Sequence, residues 1–176
     1  MLVLIGASAS GKTEIAKLLI AKHGFRKMIT YTTRAMRQGE VNGLDYHFVS
    51  VEVFKQKALA REFLETTDYN GNHYGTAFKD AERNRVVIVD IPGANVLYDQ
   101  LKNDVVIVYI ETPEAIREAR MLYRGDPKDQ VESRLLTDQI HFIKEKVTHI
   151  DLVIDNGNRE LDTLTETIAN YYKNRQ

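Results

Sequence analysis

Residues Gly6-Ala7-Ser8-Ala9-Ser10-Gly11-Lys12-Thr13 read G-x-x-x-x-G-K-T and follow directly on the apolar run Leu2-Val3-Leu4-Ile5. No other stretch constrains the fold as tightly. A buried strand has to run into a tight glycine turn, and the turn into a helix. Glycines let successive backbone N–H groups face inward as a nest for anionic oxygens. The helix that starts near Lys12 aims the positive end of its dipole at the same anion. Lys12 reaches the β- and γ-phosphates of a nucleoside triphosphate, and the Thr13 hydroxyl is a ligand for Mg²⁺. Gly6 to Thr13 are therefore the candidate ATP site, and Thr13 the candidate metal ligand. A glycine turn that merely contained Gly-Lys-Thr would lack the strand before it and the helix after it.

The rest of the chain alternates apolar runs with helical patterns. Strands are predicted at residues 2–5, 27–31, 46–49, 63–69, 73–74, 86–89, 105–110 and 152–154. Helices are predicted at 13–23, 51–60, 78–84, 94–102, after Thr112-Pro113, at 128–147 and at 160–172. Thr112 and Asp126, each before a proline, read as helix starts with a capping side chain. Buried strands separated by helices imply a parallel sheet covered on both faces, with ligands beyond the carboxyl ends of its strands. The stretch from Thr30 to Thr76 breaks this rhythm with short strands and a polar loop. It reads as an insertion placed to hold a second substrate.

Composition narrows the partners. A chain of 176 residues with 43% hydrophobic and 28% charged residues suits one soluble domain. A net charge of −1 gives no broad attraction to nucleic acid or to a membrane surface. The absence of cysteine excludes disulfides and thiolate metal sites and fits a reducing cytoplasm. No stretch is apolar enough to span a bilayer, and an N-terminal first strand leaves no place for a cleaved leader. His23, His47, His73, His141 and His149 show no metal-ligand spacing. Tyr171-Tyr172 reads as helix packing.

Three chemistries compete for the loop. A GTPase switch is suggested by Asp90-Ile91-Pro92-Gly93, which matches D-x-x-G, but the guanine-reading N-K-x-D is absent. A scaffold without catalysis has no need of Lys12 and Thr13. A small kinase needs a second anion site, and Thr30-Tyr31-Thr32-Thr33-Arg34-Ala35-Met36-Arg37 supplies arginine forks beside hydroxyls. Tyr46 and Tyr74 add phenolic donors.

The segment from Thr30 to Ser50 resembles the nucleoside-monophosphate segment of guanylate kinases, whose pattern is T-T-R-x-x-R-x-G-E-x-x-G-x-D-Y-x-F-V. Arg61-Glu62-Phe63-Leu64-Glu65 and Asn72-His73-Tyr74-Gly75-Thr76 extend the resemblance, which runs from the loop to the last strand. It implies an α/β fold: a parallel-sheet P-loop kinase core, a small mixed nucleoside-monophosphate-binding insertion and a helical lid. The single domain would span 1–176, with core 1–30 and 77–176, insertion about 31–76 and lid about 120–137. Arg34, Arg37, Tyr46 and Tyr74 would hold the GMP phosphate. Glu65 would accept from the guanine N1–H and 2-amino groups, with Thr30, Gly75, Thr76 and Asp90 beside it. Lys12, Arg34, Arg124 and Arg134 would be catalytic, Arg120 a further lid candidate, and Asp155 and Asn156 would line the adenine pocket. The implied reaction moves the ATP γ-phosphoryl group to GMP or dGMP with Mg²⁺, in a cytoplasmic monomer or homodimer.

Two departures stand out. The family pattern opens its loop G-P-S-G, whereas this chain has Gly6-Ala7-Ser8-Ala9. The pattern also carries D-x-D-x-x-G after the central strand, where this chain has only Asp90-Ile91-Pro92-Gly93, so Asp90 keeps either a guanine contact or an indirect Mg²⁺ contact. Other small kinases, acting on a ribose bisphosphate for example, and a non-catalytic guanylate-kinase-like interaction module are the alternative readings.

Overall fold

Apolar runs become the strands of a central parallel sheet in the computed structural model, which describes residues 1–69, 71–77 and 81–175. The strands are β1 (Leu2–Ile5), β2 (Arg26–Lys27), β7 (Arg85–Ile88), β8 (Val106–Glu111) and β9 (Leu152–Asp155), ordered β2-β7-β1-β8-β9 with every pairing parallel. Alternation within β1 splits the core. Leu2 and Leu4 pack with Ile15 and Leu19 of α1 (Lys12–His23) and Leu164 and Ile168 of α6 (Leu161–Asn174). Val3 and Ile5 pack on the other face with Ala94 and Leu97 of α3 (Ile91–Leu101). All four β1 side chains are fully buried, and each contributes roughly 1.5–3 kcal/mol.

A second, mixed sheet carries the insertion. Its order is β4 (His47–Phe48), β3 (Tyr31–Thr32), β6 (Asn72–Ala77), β5 (Phe63–Tyr69), with β3 and β4 parallel and the other pairs antiparallel. Phe54 of α2 (Val51–Leu59) stacks on Phe63 at 4.8 Å and closes its small core with Tyr31 and Ala77. After β8 the chain forms α4 (Glu114–Tyr123) and α5 (Lys128–His141), which carry the lid segment.

Several sequence expectations change. The strand expected at 27–31 splits between the two sheets, because Met28 bonds on to β7 while Tyr31 pairs with β6 and His47. Of the helix expected at 78–84, residues 78–80 lie outside the described residues, and 83–84 form a turn with Asn84 at φ 59. The long helix expected at 128–147 stops at His141. Phe142 leaves helical geometry (φ −107, ψ 52), and its carbonyl accepts the Tyr109 hydroxyl at 3.1 Å. Neither Thr112 nor Asp126 caps a helix: Pro113 and Pro127 hold the cap positions. Asp90, by contrast, caps α3 by accepting the Gly93 amide at 2.9 Å, so that helix starts earlier than expected. No helix among the described residues is long and apolar enough to cross a membrane.

Candidate active site

The loop between β1 and α1 sits at the carboxyl end of the sheet, where its carbonyls are drawn outward. The Ser10 carbonyl accepts from Thr112 Oγ1 at 3.1 Å and Asn156 Nδ2 at 2.8 Å, and the Ala9 carbonyl from Arg120 at 3.3 Å. Thr112 thus spends its hydroxyl on the loop, which is why it does not cap α4. Two glycines are demanded by this packing. A Cβ at Gly6 would lie 2.5 Å from the Ile110 carbonyl, and one at Gly11 2.2 Å from Asn156 Nδ2, with φ +148 and +97. Asn156 is buried behind the loop rather than lining an adenine pocket, and Asp155 is exposed and accepts the Gly157 amide. Arg120 likewise grips the loop, with its other nitrogen on the Asn156 carbonyl.

Lys12 folds over the loop it belongs to. Its ammonium donates to the Gly6 and Ala7 carbonyls at 2.6 and 2.7 Å and to Ser10 Oγ at 3.3 Å. Burial lowers its pKa to about 8. A phosphate entering the loop supplies the negative charge that this ammonium lacks. Thr13 is exposed at the first turn of α1.

A cavity of about 240 Å³ runs from Ser8 and Lys12 to the insertion, lined there by Thr30, Tyr46, Glu65, Tyr74, Gly75, Thr76 and Asp90. At its far end Glu65 is 6% exposed; one carboxylate oxygen accepts the Thr76 hydroxyl at 2.5 Å. The other, Oε2, is buried with no hydrogen-bond partner among the described residues. Burial, with the charge of Asp90 adding, raises the Glu65 pKa to about 7. Asp90 itself accepts from Thr67 Oγ1 at 2.8 Å, a contact that no sequence motif signals. A Cβ at Gly75 would press on the Phe63 and Phe54 rings at 3.0 and 3.1 Å.

A neighbouring lobe of about 510 Å³ brings Arg34, Arg37, Tyr46 and Tyr74 together with Thr13 and Thr30. Glu40 aligns the arginines: it accepts from the Arg34 guanidinium at 2.7 Å and from the Arg37 amide at 2.7 Å. The Arg34 guanidinium also lies 5.5 Å from the Tyr46 ring and 5.6 Å from the Phe48 ring. Ile88 borders both lobes and is 37% exposed. With Asp90 and Gly93 fixed by the α3 cap, Ile88 is the position of the carboxylate missing from D-x-D-x-x-G. Asp90 stands at the Glu65 end of the cavity.

The lid arginines are not in the cleft. Arg124 and Arg134 both bind Asp126, the latter at 2.9 Å. Arg124 chiefly, with Arg134 and then Arg37 adding, holds the Asp126 carboxyl below its usual range. Sequence reasoning missed Phe142. Where the helical pattern ends early, its ring turns toward the cavity, 5.8 Å from the Lys12 ammonium. No cluster of histidine and carboxylate side chains suited to a metal occurs among the described residues. Mg²⁺ usually keeps its waters and rides on substrate phosphates, and for that mode one hydroxyl at Thr13 fits.

Comparison with known proteins matches the geometry. The family profile described as Guanylate kinase covers residues 1–174. A guanylate kinase of Neisseria meningitidis is 35% identical over 161 residues, covering 88% of this chain and 78% of that protein. One from Symbiobacterium thermophilum is 37% identical over 178 residues, 96% of this chain and 81% of the relative. The crystal structure of a guanylate kinase from Anaplasma phagocytophilum shares the fold, with TM-score 0.73 at 24% identity over 100% of this chain and 85% of that one.

Proposed function

The chain belongs to the guanylate kinase family, and on that premise we propose the roles its residues take in moving the γ-phosphoryl group of ATP to GMP. The observation that carries the reading is the shape of one cavity. A lysine-bearing phosphate loop forms one end, and an orphaned, buried carboxylate oxygen on Glu65 forms the other. Guanine offers that oxygen N–H donors, whereas adenine offers none in the same place. Sites built on such hydrogen bonds reject the analogue that leaves them unpaired by about 10⁴–10⁵.

ATP is held by Gly6 to Thr13. Thr13 would be the protein ligand for Mg²⁺, which would neutralise the charge between the phosphates. Arg34, Arg37, Tyr46 and Tyr74 hold the GMP phosphate, which is already anionic and needs no general base. Thr30, Gly75, Thr76 and Asp90 complete the base end. Lys12 and Arg34 bring the two phosphates together against their repulsion. Arg124 and Arg134 exchange Asp126 for the transferring group as the lid closes, and closure excludes the water that would otherwise hydrolyse ATP. The chain works as one domain, a cytoplasmic monomer or homodimer.

A coupled assay of ADP formation with ATP and a panel of GMP, dGMP, AMP and UMP tests this. GMP is expected to lead AMP by at least about 10³ in kcat/KM. Equal turnover of AMP, or turnover without any monophosphate, contradicts the reading.

A further inference from the structure

Two charged side chains are buried where the lid-bearing helices meet the phosphate loop. Asp138 on α5 and Arg117 on α4 have side chains 1% and 8% exposed and form an ion pair of 2.9 Å. A buried pair of this kind adds little stability over apolar residues of the same size. What it does hold is Ser8. The Ser8 amide donates to one Asp138 oxygen at 2.9 Å and its hydroxyl to the other at 3.1 Å, while Arg117 reaches the Ser8 carbonyl at 3.5 Å. Arg117 is anchored in turn on the Thr112 carbonyl at 3.2 Å. One pair thus grips each polar group of a single loop residue.

The next residue explains the need. Ala9 has φ +57, in the left-handed region where a Cβ is strained. The family pattern G-P-S-G places a glycine there and a proline two residues earlier; this chain has Ala9 and Ala7. Glycine would enter that turn freely, and proline would stiffen the approach to it.

We propose that Arg117 and Asp138 are positioning residues for ATP: by locking Ser8 they hold the Ala9 turn open in a loop whose own sequence no longer secures it. They act through Ser8 and not on the substrate. Their helices carry the lid segment, so the lid arm and the loop share one anchor. The inference rests on Gly6 to Thr13 being the ATP site.

Kinetics of three variants test it. In Asp138→Asn the KM for ATP rises about tenfold while the KM for GMP moves less than about twofold, the loss of one charge-assisted contact on one side of the cleft. In Arg117→Leu/Asp138→Leu the melting temperature matches or exceeds that of the unsubstituted chain, yet the ATP defect of about tenfold remains. Adding Ala9→Gly to Asp138→Asn brings the KM for ATP back to within about threefold, because glycine holds the turn unaided. A double-leucine variant that handles ATP normally, or ATP and GMP constants rising together, reduces the pair to packing and overturns the proposal. An unsubstituted chain without GMP-dependent turnover overturns the kinase reading instead, and ATP binding to the same variants still decides the role of the pair.

Discussion

On the proposed reading, the two ends of the cleft recognise their ligands by opposite means. At the loop end the chain uses backbone. Loop carbonyls are tied back by Thr112, Asn156 and Arg120, side chains that come from distant parts of the sequence. At the insertion end it uses side chains, set on a small mixed sheet: Glu65 and Thr76 from adjacent strands, and the Arg34–Glu40 pair from a loop. A backbone cradle reads only charge, and any triphosphate satisfies it. A side-chain pocket reads identity, because a wrong ligand leaves a buried polar atom unpaired. The division suits a kinase that chooses its acceptor strictly. It also predicts that damage at the two ends looks different, with turnover lost at one and discrimination lost at the other.

The largest effect is expected at the loop. Lys12→Ala removes the ammonium folded onto the Gly6 and Ala7 carbonyls and should lower kcat by about 10³ or more, in the range seen when a phosphoryl-transfer cation is lost. GMP binding, measured by calorimetry without ATP, should change less than about threefold, because sites that share no contacts behave independently. Comparable loss of GMP affinity would show that the two ends are one coupled site.

Glu65→Gln should do the reverse. The amide keeps the shape of the carboxylate but presents donors where guanine also has donors, so the preference for GMP over AMP should fall by about 10²–10³ while Mg-ATP binding stays unchanged. The same change acts on stability with a definite sign. Burial holds the Glu65 pKa at about 7, above its unfolded value, so the stabilising proton is fully present at low pH and lost as pH rises through about 7. At pH of about 8 the ligand-free protein then carries a penalty of up to about 3 kcal/mol that glutamine escapes. The variant should melt several degrees higher there, and an unchanged melting temperature would mean that Glu65 is not buried as a charge.

Legibility in the sequence follows the same division. The loop, β1 and α1 were readable because a local motif dictates local backbone, and Val86–Val87 and Val105–Ile110 because strands buried on both faces are continuously apolar. Residues whose use is decided by remote partners were not. Thr112 has the sequence of a helix cap but meets Ser10, and Asn156 looked like a pocket residue but lies behind the loop. Phe142 sat within a helical pattern until Tyr109 took its carbonyl. In the insertion, periodicity suggested only short strands. The roles assigned to Glu65, Arg34 and Arg37 came from the family resemblance, since a carboxylate on a strand or two arginines in a loop mean little alone. Thr67 and its bond to Asp90 left no trace at all.

The smallest effect, and the most direct contrast of the two ends, is the pH profile of kcat/KM, which reports groups of the free enzyme. Guanine donors require the ionised form of Glu65, whose pKa is raised to about 7, so kcat/KM for GMP should fall about tenfold per pH unit below that point. ATP phosphates require the charged form of Lys12, whose pKa is lowered to about 8, so kcat/KM for ATP should fall by the same factor per unit above it. The limbs belong to different substrates, which distinguishes them from a general loss of fold that would move both together. Glu65→Gln should erase the acid limb for GMP and leave the alkaline limb for ATP in place. An acid limb that survives in Glu65→Gln would assign it to another group and remove Glu65 from the reading of the base.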